Sequence, residues 1–164
     1  DLMLAAFALV KPNYPQLTFT VVGDYDAVLI EKLLNDHCSA YKADVVFTGQ
    51  SNDLGISLME ACLYLHTARG EAWGISVTEA MTAGVPPIVS EWTGSKEAVQ
   101  KVSEELIVPL DVTLIAEKIN WYLGLPQSQK QNLSDKCKEV SAFYTEKNAV
   151  DNFRDIFYKA CKGE

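Results

Sequence analysis

Two hydrophobic patterns alternate along this chain. Short, almost wholly apolar runs stand at Leu17 to Gly23 (LTFTVVG), Val45 to Gly49 (VVFTG), Cys62 to His66 (CLYLH), Pro87 to Ser90 (PIVS) and Leu106 to Pro109 (LIVP). Each closes on Gly, Pro or a polar residue, and unbroken apolar runs of this length are strands buried on both faces, as in parallel sheets. Helical spacing fills the intervals: Ala27 to Leu34, with Val28, Leu29, Leu33 and Leu34 apolar, then Asp53 to Ala61, Ile75 to Ala83, Ser95 to Val102, Val112 to Leu123 and Ser128 to Phe143. A last helix spans about Glu146 to Ala160, with Val150, Phe153, Ile156, Phe157 and Ala160 on one face. This alternation predicts right-handed strand–helix–strand units in an α/β fold, a doubly wound parallel sheet with helices on both faces. The chain opens on a helical pattern, DLMLAAFALV, although such a domain ordinarily starts with a strand that becomes central. We expect residues 1–164 to be one domain, a fragment whose first strand lies upstream.

The segment Glu71 to Gly84 (EAWGISVTEAMTAG) carries the most chemical information. It follows an apolar strand, turns through Arg69-Gly70-Glu71 and enters a helix near Gly74. Gly84 closes that helix and Pro86-Pro87 lead into the next strand. The amides of Gly74, Ile75 and Ser76 then open toward the carboxyl edge of the sheet, an anion site suited to a diphosphate. Glu71 and Glu79 stand eight positions apart, roughly 12 Å along a helix. That is too far for the carboxylate pair of a retaining glycosidase, about 5 Å apart, and suits two ends of one elongated ligand. A nucleotide sugar has that shape: Glu79 for ribose hydroxyls, the helix N-terminus for the diphosphate, Glu71 for sugar hydroxyls. The plain alternative is two solvated surface acids.

Composition narrows the choices. Lys and Arg number 14 against 22 Asp and Glu, a net charge of −8, which argues against nucleic acid as a partner. No apolar run is long enough for a membrane span, and the apolar opening lacks a basic flank and a cleavage site, so it reads as a core-packed helix. The four cysteines, Cys38, Cys62, Cys137 and Cys161, form no close pair. They suggest neither a metal site nor a disulfide framework, and a reducing, cytoplasmic compartment is expected. Cys62, inside an apolar run, is expected to be buried. His66 reads as a hydrogen-bonded structural residue or a general base, and Arg69 as a surface residue or a partner of phosphate or Glu71. The aromatics Phe143, Tyr144, Phe153, Phe157 and Tyr158 are expected to form core beneath the terminal helices.

The Glu71–Glu79 segment resembles the E-x7-E motif of GT-B retaining glycosyltransferases of the family 4 type. Leu2 to Leu9 looks like that family's first helix, Val21-Val22-Gly23-Asp24 like its "IVGdG" strand end and Val46-Phe47-Thr48-Gly49 like its "V-x-F-x-G" element. Thr93-Gly94-Ser95-Lys96-Glu97 looks like its "GGxxE" loop, and Ile107-Val108-Pro109 like its next strand. The resemblance implies the Rossmann-like C-terminal, donor-binding half, with acceptor bound by a separate N-terminal domain. It implies transfer of a hexose from a nucleoside-diphosphate sugar with retention and no essential metal or other cofactor. The acceptor would be a sugar or lipid-linked sugar, and any contact with a membrane surface would belong to the missing part. Carried over, Glu71 contacts the donor sugar, Glu79 holds ribose, and Gly74, Ile75 and Ser76 present backbone groups. Gly23, Gln50 and Ser51 then line the nucleotide pocket. Thr93 in place of the first Gly of the pair would stiffen its loop, and Asp24-Tyr25 lacks a second Gly. The basic pair that neutralises the leaving diphosphate in the family would lie before residue 1. Alternatives are a noncatalytic nucleotide- or sugar-binding module and a nucleotide-sugar epimerase. An NAD dehydrogenase is disfavoured, since no GxGxxG follows LTFTVVG.

Overall fold

The computed structural model describes residues 1–50 and 54–162. Helix α1 (Leu2–Val10) leads through a short 3₁₀ turn to β1 (Phe19–Val22), α2 (Ala27–His37) and β2 (Val45–Gly49). Then follow α3 (Leu54–Glu60), β3 (Tyr64–His66), α4 (Ile75–Thr82), β4 (Pro87–Ser90), α5 (Lys96–Val102) and β5 (Ile107–Val108). Three helices close the chain: α6 (Val112–Gly124), α7 (Gln127–Ser141) and α8 (Glu146–Lys162). All strand pairing is parallel, in two groups, β1–β2 and β3–β4–β5. The fold is the α/β, Rossmann-like one expected, with its strand order read as β2-β1 and β3-β4-β5. Among the described residues β1 and β3 each pair on one side only.

Local sequence explains the helix starts. Asp26 accepts from the amides of Val28 (2.8 Å) and Leu29 (3.0 Å), and Asp111 from those of Thr113 (2.8 Å) and Leu114 (3.0 Å). The same short carboxylate thus caps α2 and α6 as the chain leaves β1 and β5. Helix α1 joins the two strand groups. Its Ala6 and Val10 enter the main core with Val77, Met81, Ile88, Val89, Val99 and Ile115, while Leu4 and Phe7 enter a second core with Cys38 and Val45. Phe7 stacks on Phe19 with ring centres 5.6 Å apart.

Only β4 is buried along its whole length; β1, β2 and β3 are partly exposed, so the expectation of strands covered on both faces holds for one of them. Two other expectations are corrected. Cys62 is exposed, because it lies in the bend before β3 rather than in the strand. Of the terminal aromatics, Tyr144 packs against the main core, but Phe143, Phe153, Phe157 and Tyr158 are exposed. Helix α8 does carry the stripe that its spacing predicts, yet none of its residues is buried. Amphipathic periodicity marks a face and does not supply its cover. Among the described residues no helix is long and apolar enough to cross a membrane.

One buried cation fastens the turn after α1. Lys11, with only 6% of its side chain exposed, donates to the carbonyls of Pro15 and Leu17 at 2.7 Å each and pairs with Asp44 at 2.8 Å. Lys11→Met keeps the apolar stem and leaves these three acceptors without their donor. The expected loss is about 2–3 kcal/mol of unfolding free energy, read from urea titration.

Candidate functional site

Parallel strands deliver the segments that follow them to one edge of each strand group, and the sequence-predicted residues fall on those loops or on the helix α4 that one of them enters. Gly23 follows β1 directly, and its amide donates to the carbonyl of Gly49 at the end of β2 (2.9 Å). Gln50 follows directly, exposed in a bend. Ser51 lies outside the described residues.

The second group sits on the β3–α4 connection. Gly74 is the N-cap of α4 in the left-handed region, φ +77°. A Cβ there would meet His66 Nε2 at 3.1 Å and both Glu71 Cγ and Val77 Cγ2 at 3.4 Å, so both conformation and space call for glycine. The backbone of Gly74 therefore lies against His66 and Glu71 with nothing between them. The first-turn amides of Ile75 and Ser76 precede the helix's own hydrogen-bond ladder and supply its positive end. Val77, Ala80 and Met81 seat α4 in the core, whereas Glu79 and the Ile75 side chain are exposed. Glu71 is exposed in the loop ahead of the helix. The structure thus brings Glu71, Gly74, Ile75, Ser76 and Glu79 onto one strand–loop–helix unit.

Two partners of this unit, Tyr64 and Trp73, escaped sequence reading, and His66 joins them. Tyr64 and His66 share one face of β3 by its two-residue period, and their rings stack 6.2 Å apart. Tyr64 Oη donates to Ser76 Oγ at 2.8 Å, which turns the Ser76 hydroxyl toward the strand. Burial pushes the Tyr64 phenol up, and Glu79 adds to that rise. His66 departs from the hydrogen-bonded structural reading at Nε2, which is buried without a hydrogen-bond partner. Burial lowers its pKa below the ordinary 6.5, opposed by the charge of Glu71. Trp73 tilts against Tyr144 at 5.1 Å, joining the loop to the end of α7. Arg69 pairs with Asp1 at 2.5 Å, on the surface, rather than with Glu71.

The backbone of the loop is held by a neighbouring one. Glu71 and Thr93 form a parallel bridge; the Glu71 amide donates to Trp92 O (3.3 Å), and its carbonyl accepts from Gly94 N (2.9 Å). Among the described residues no group of three or more His, Cys, Asp or Glu is disposed to hold a metal ion.

A parallel α/β domain that opens a glycine-led helix at its carboxyl edge, with one acid before that helix and another inside it, has its candidate site where doubly wound folds hold their ligands. The chain belongs to the family of glycosyl transferases group 1, whose model matches residues 1–140. It is similar to the GDP-Man:Man(3)GlcNAc(2)-PP-Dol alpha-1,2-mannosyltransferase of Dictyostelium discoideum, at 27% identity over 103 residues, 63% of this chain and 20% of that protein. Among solved structures it is similar to WaaG, a glycosyltransferase involved in lipopolysaccharide biosynthesis, with TM-score 0.76 and 23% identity over 87% of this chain and 38% of that one. It is also similar to the pneumococcal O-GlcNAc transferase GtfA solved with UDP and GlcNAc, with TM-score 0.79 and 15% identity over 97% of this chain and 32% of that one. These likenesses show the GT-B type of fold. The chain spans one fifth of the curated relative and about a third of each of these two structures.

His66 gives the site a pH signature. Its folded pKa lies below the unfolded value of 6.5, so the unfolded chain binds the proton more readily. The stability tied to neutral His66 is present above pH 6.5 and is lost as pH falls from there through the folded pKa. Urea midpoints measured downward from pH 7.5 are expected to fall across this window and to fall less in His66→Gln.

Proposed function

We propose that this chain is the donor-binding half of a glycosyltransferase that moves a hexose from a nucleoside-diphosphate sugar to an acceptor sugar or lipid-linked sugar. The carrying observation is the glycine-led N-terminus of α4 at the sheet's carboxyl edge, with Glu71 before it and Glu79 one turn inside it, in a chain of this family. In this reading the diphosphate lies over the amides of Gly74, Ile75 and Ser76. Glu79 accepts from ribose hydroxyls, and Glu71 from hydroxyls of the sugar. Gly23, Gln50 and Ser51 belong to the nucleotide side. The bond between the anomeric carbon and the diphosphate breaks while the acceptor hydroxyl oxygen bonds to the same face and its proton passes to the departing diphosphate oxygen, giving retention. The departing charge is met by preorganised amides and the helix dipole, with no metal assigned to the step.

The acceptor site and the basic groups that assist departure are assigned to parts of the protein outside residues 1–164, as is any contact with a membrane face. A first strand of the domain is likewise assigned to chain N-terminal to α1. The four free cysteines support a reducing, cytoplasmic setting.

Calorimetric titration with UDP, GDP, ADP and their hexose conjugates tests this assignment. One base is expected to bind. Glu79→Ala should weaken the bare nucleotide about ten- to a hundred-fold, as for a lost charged hydrogen bond. Glu71→Gln should spare the nucleotide and remove the affinity that the sugar adds. Binding of a nucleotide that neither substitution changes would move the site elsewhere on the chain.

A further inference from the structure

The loop Ser90 to Ser95 runs beside Glu71 to Trp73 as a short second ladder. Besides the two bonds to Glu71, the amide of Ser95 donates to Trp73 O at 3.1 Å. Gly94 makes this approach feasible. A Cβ at 94 would fall 1.8 Å from Ala72 O, 2.8 Å from Ala72 C and 3.5 Å from Trp73 Cα. All three are backbone atoms, so no side-chain rotation relieves the clash, and the segment carrying Glu71 would have to move. A hydroxyl latch braces the same corner. Ser90 Oγ donates to Ala68 O at 2.6 Å and lies 3.1 Å from Thr93 Oγ1. With its one proton committed to Ala68, Ser90 accepts from Thr93. Ser90 and Thr93 are 0% and 1% exposed, so the pair is shielded from competing water.

We propose that Gly94, with the Ser90–Thr93 latch, positions Glu71, and that recognition of the donor's sugar depends on it. This rests on the assignment of Glu71 to the sugar and goes beyond it, because none of the three residues touches donor in that arrangement. Glu79 is set differently: α4 is anchored through its own buried residues Val77, Ala80 and Met81. Disturbing the 94–72 contact therefore separates the two ends of the ligand. The sugar's contribution falls and the nucleotide's remains.

The experiment uses the full-length natural protein and calorimetry with UDP and UDP-glucose, GDP and GDP-mannose, and ADP and ADP-glucose. The readout is the ratio of sugar-nucleotide to nucleotide affinity for the base that binds. Gly94→Ala is expected to lower that ratio about ten-fold or more, with bare-nucleotide affinity held within about two-fold. The double variant Ser90→Ala, Thr93→Val should lower it in the same direction, and it carries the test alone if Gly94→Ala fails to fold. Thr93→Ser, which keeps the hydroxyl, and Gly70→Ala, where a Cβ meets nothing within 4 Å, should leave the ratio unchanged. If Glu71→Gln lowers the ratio while Gly94→Ala and the double variant do not, the positioning role is overturned and the donor assignment stands. Equal loss for nucleotide and sugar nucleotide also overturns it, as general damage. If no pair binds the natural protein, or Glu71→Gln leaves the ratio intact, the donor assignment fails and takes this proposal with it.

Discussion

A single backbone contact organises this end of the molecule: the carbonyl of Ala72 lies where the side chain of residue 94 would be. Two loops that leave neighbouring parallel strands are thereby brought within hydrogen-bonding reach, and Glu71, Thr93, Gly94 and Ser95 continue the ladder that β3 and β4 begin. An acid on a loop is ordinarily a poor anchor, because loop backbone is free to wander. Here the loop is in effect an extension of the sheet, so Glu71 stands on a rigid support although its side chain is exposed.

Glu79 obtains its support from a different source. Helix α4 is short, and its propensity alone would not hold it. Its buried face, the Tyr64–Ser76 hydrogen bond and the packing of α7 against it hold it instead. The two acids are thus fixed through largely separate structure, one by ladder bonds and the other by core packing. Such an arrangement lets the two carboxylates be shifted with little effect on each other.

The fold was legible where local chemistry is strict. Val45–Gly49 and Pro87–Ser90 appear as strands with the bounds their apolar runs predict, because Gly49 closes the first and Pro86-Pro87 open the second before polar Ser90 ends it. Gly74 and Gly84 bracket α4 as a helix's entry and exit require. What stayed hidden depends on contacts between distant segments. The period of β3 puts Tyr64 and His66 on one face but does not say that the Tyr64 phenol finds a hydroxyl while His66 Nε2 is buried without a hydrogen-bond partner. The Ser90–Thr93 pair is three residues apart with no regular spacing to mark it. Thr93 in place of glycine was read only as a stiffer loop, whereas its hydroxyl is part of the latch. Helix α8 is the converse case: a clear apolar stripe whose partner cannot be inferred from its own sequence.

The cysteines divide the chain into surfaces of different chemical reactivity. Cys62 and Cys161 are exposed, whereas Cys137 is fully enclosed on α7 and burial pushes its thiol up to about 12. The thiolate is the nucleophile, so the native protein presents almost none of it at that position near neutral pH. Because α7 packs against α4, Cys137 can be alkylated only in molecules whose α7 has lifted from its seat. Under gentle conditions, the pace of its modification is an internal clock for how often the floor beneath α4 comes loose.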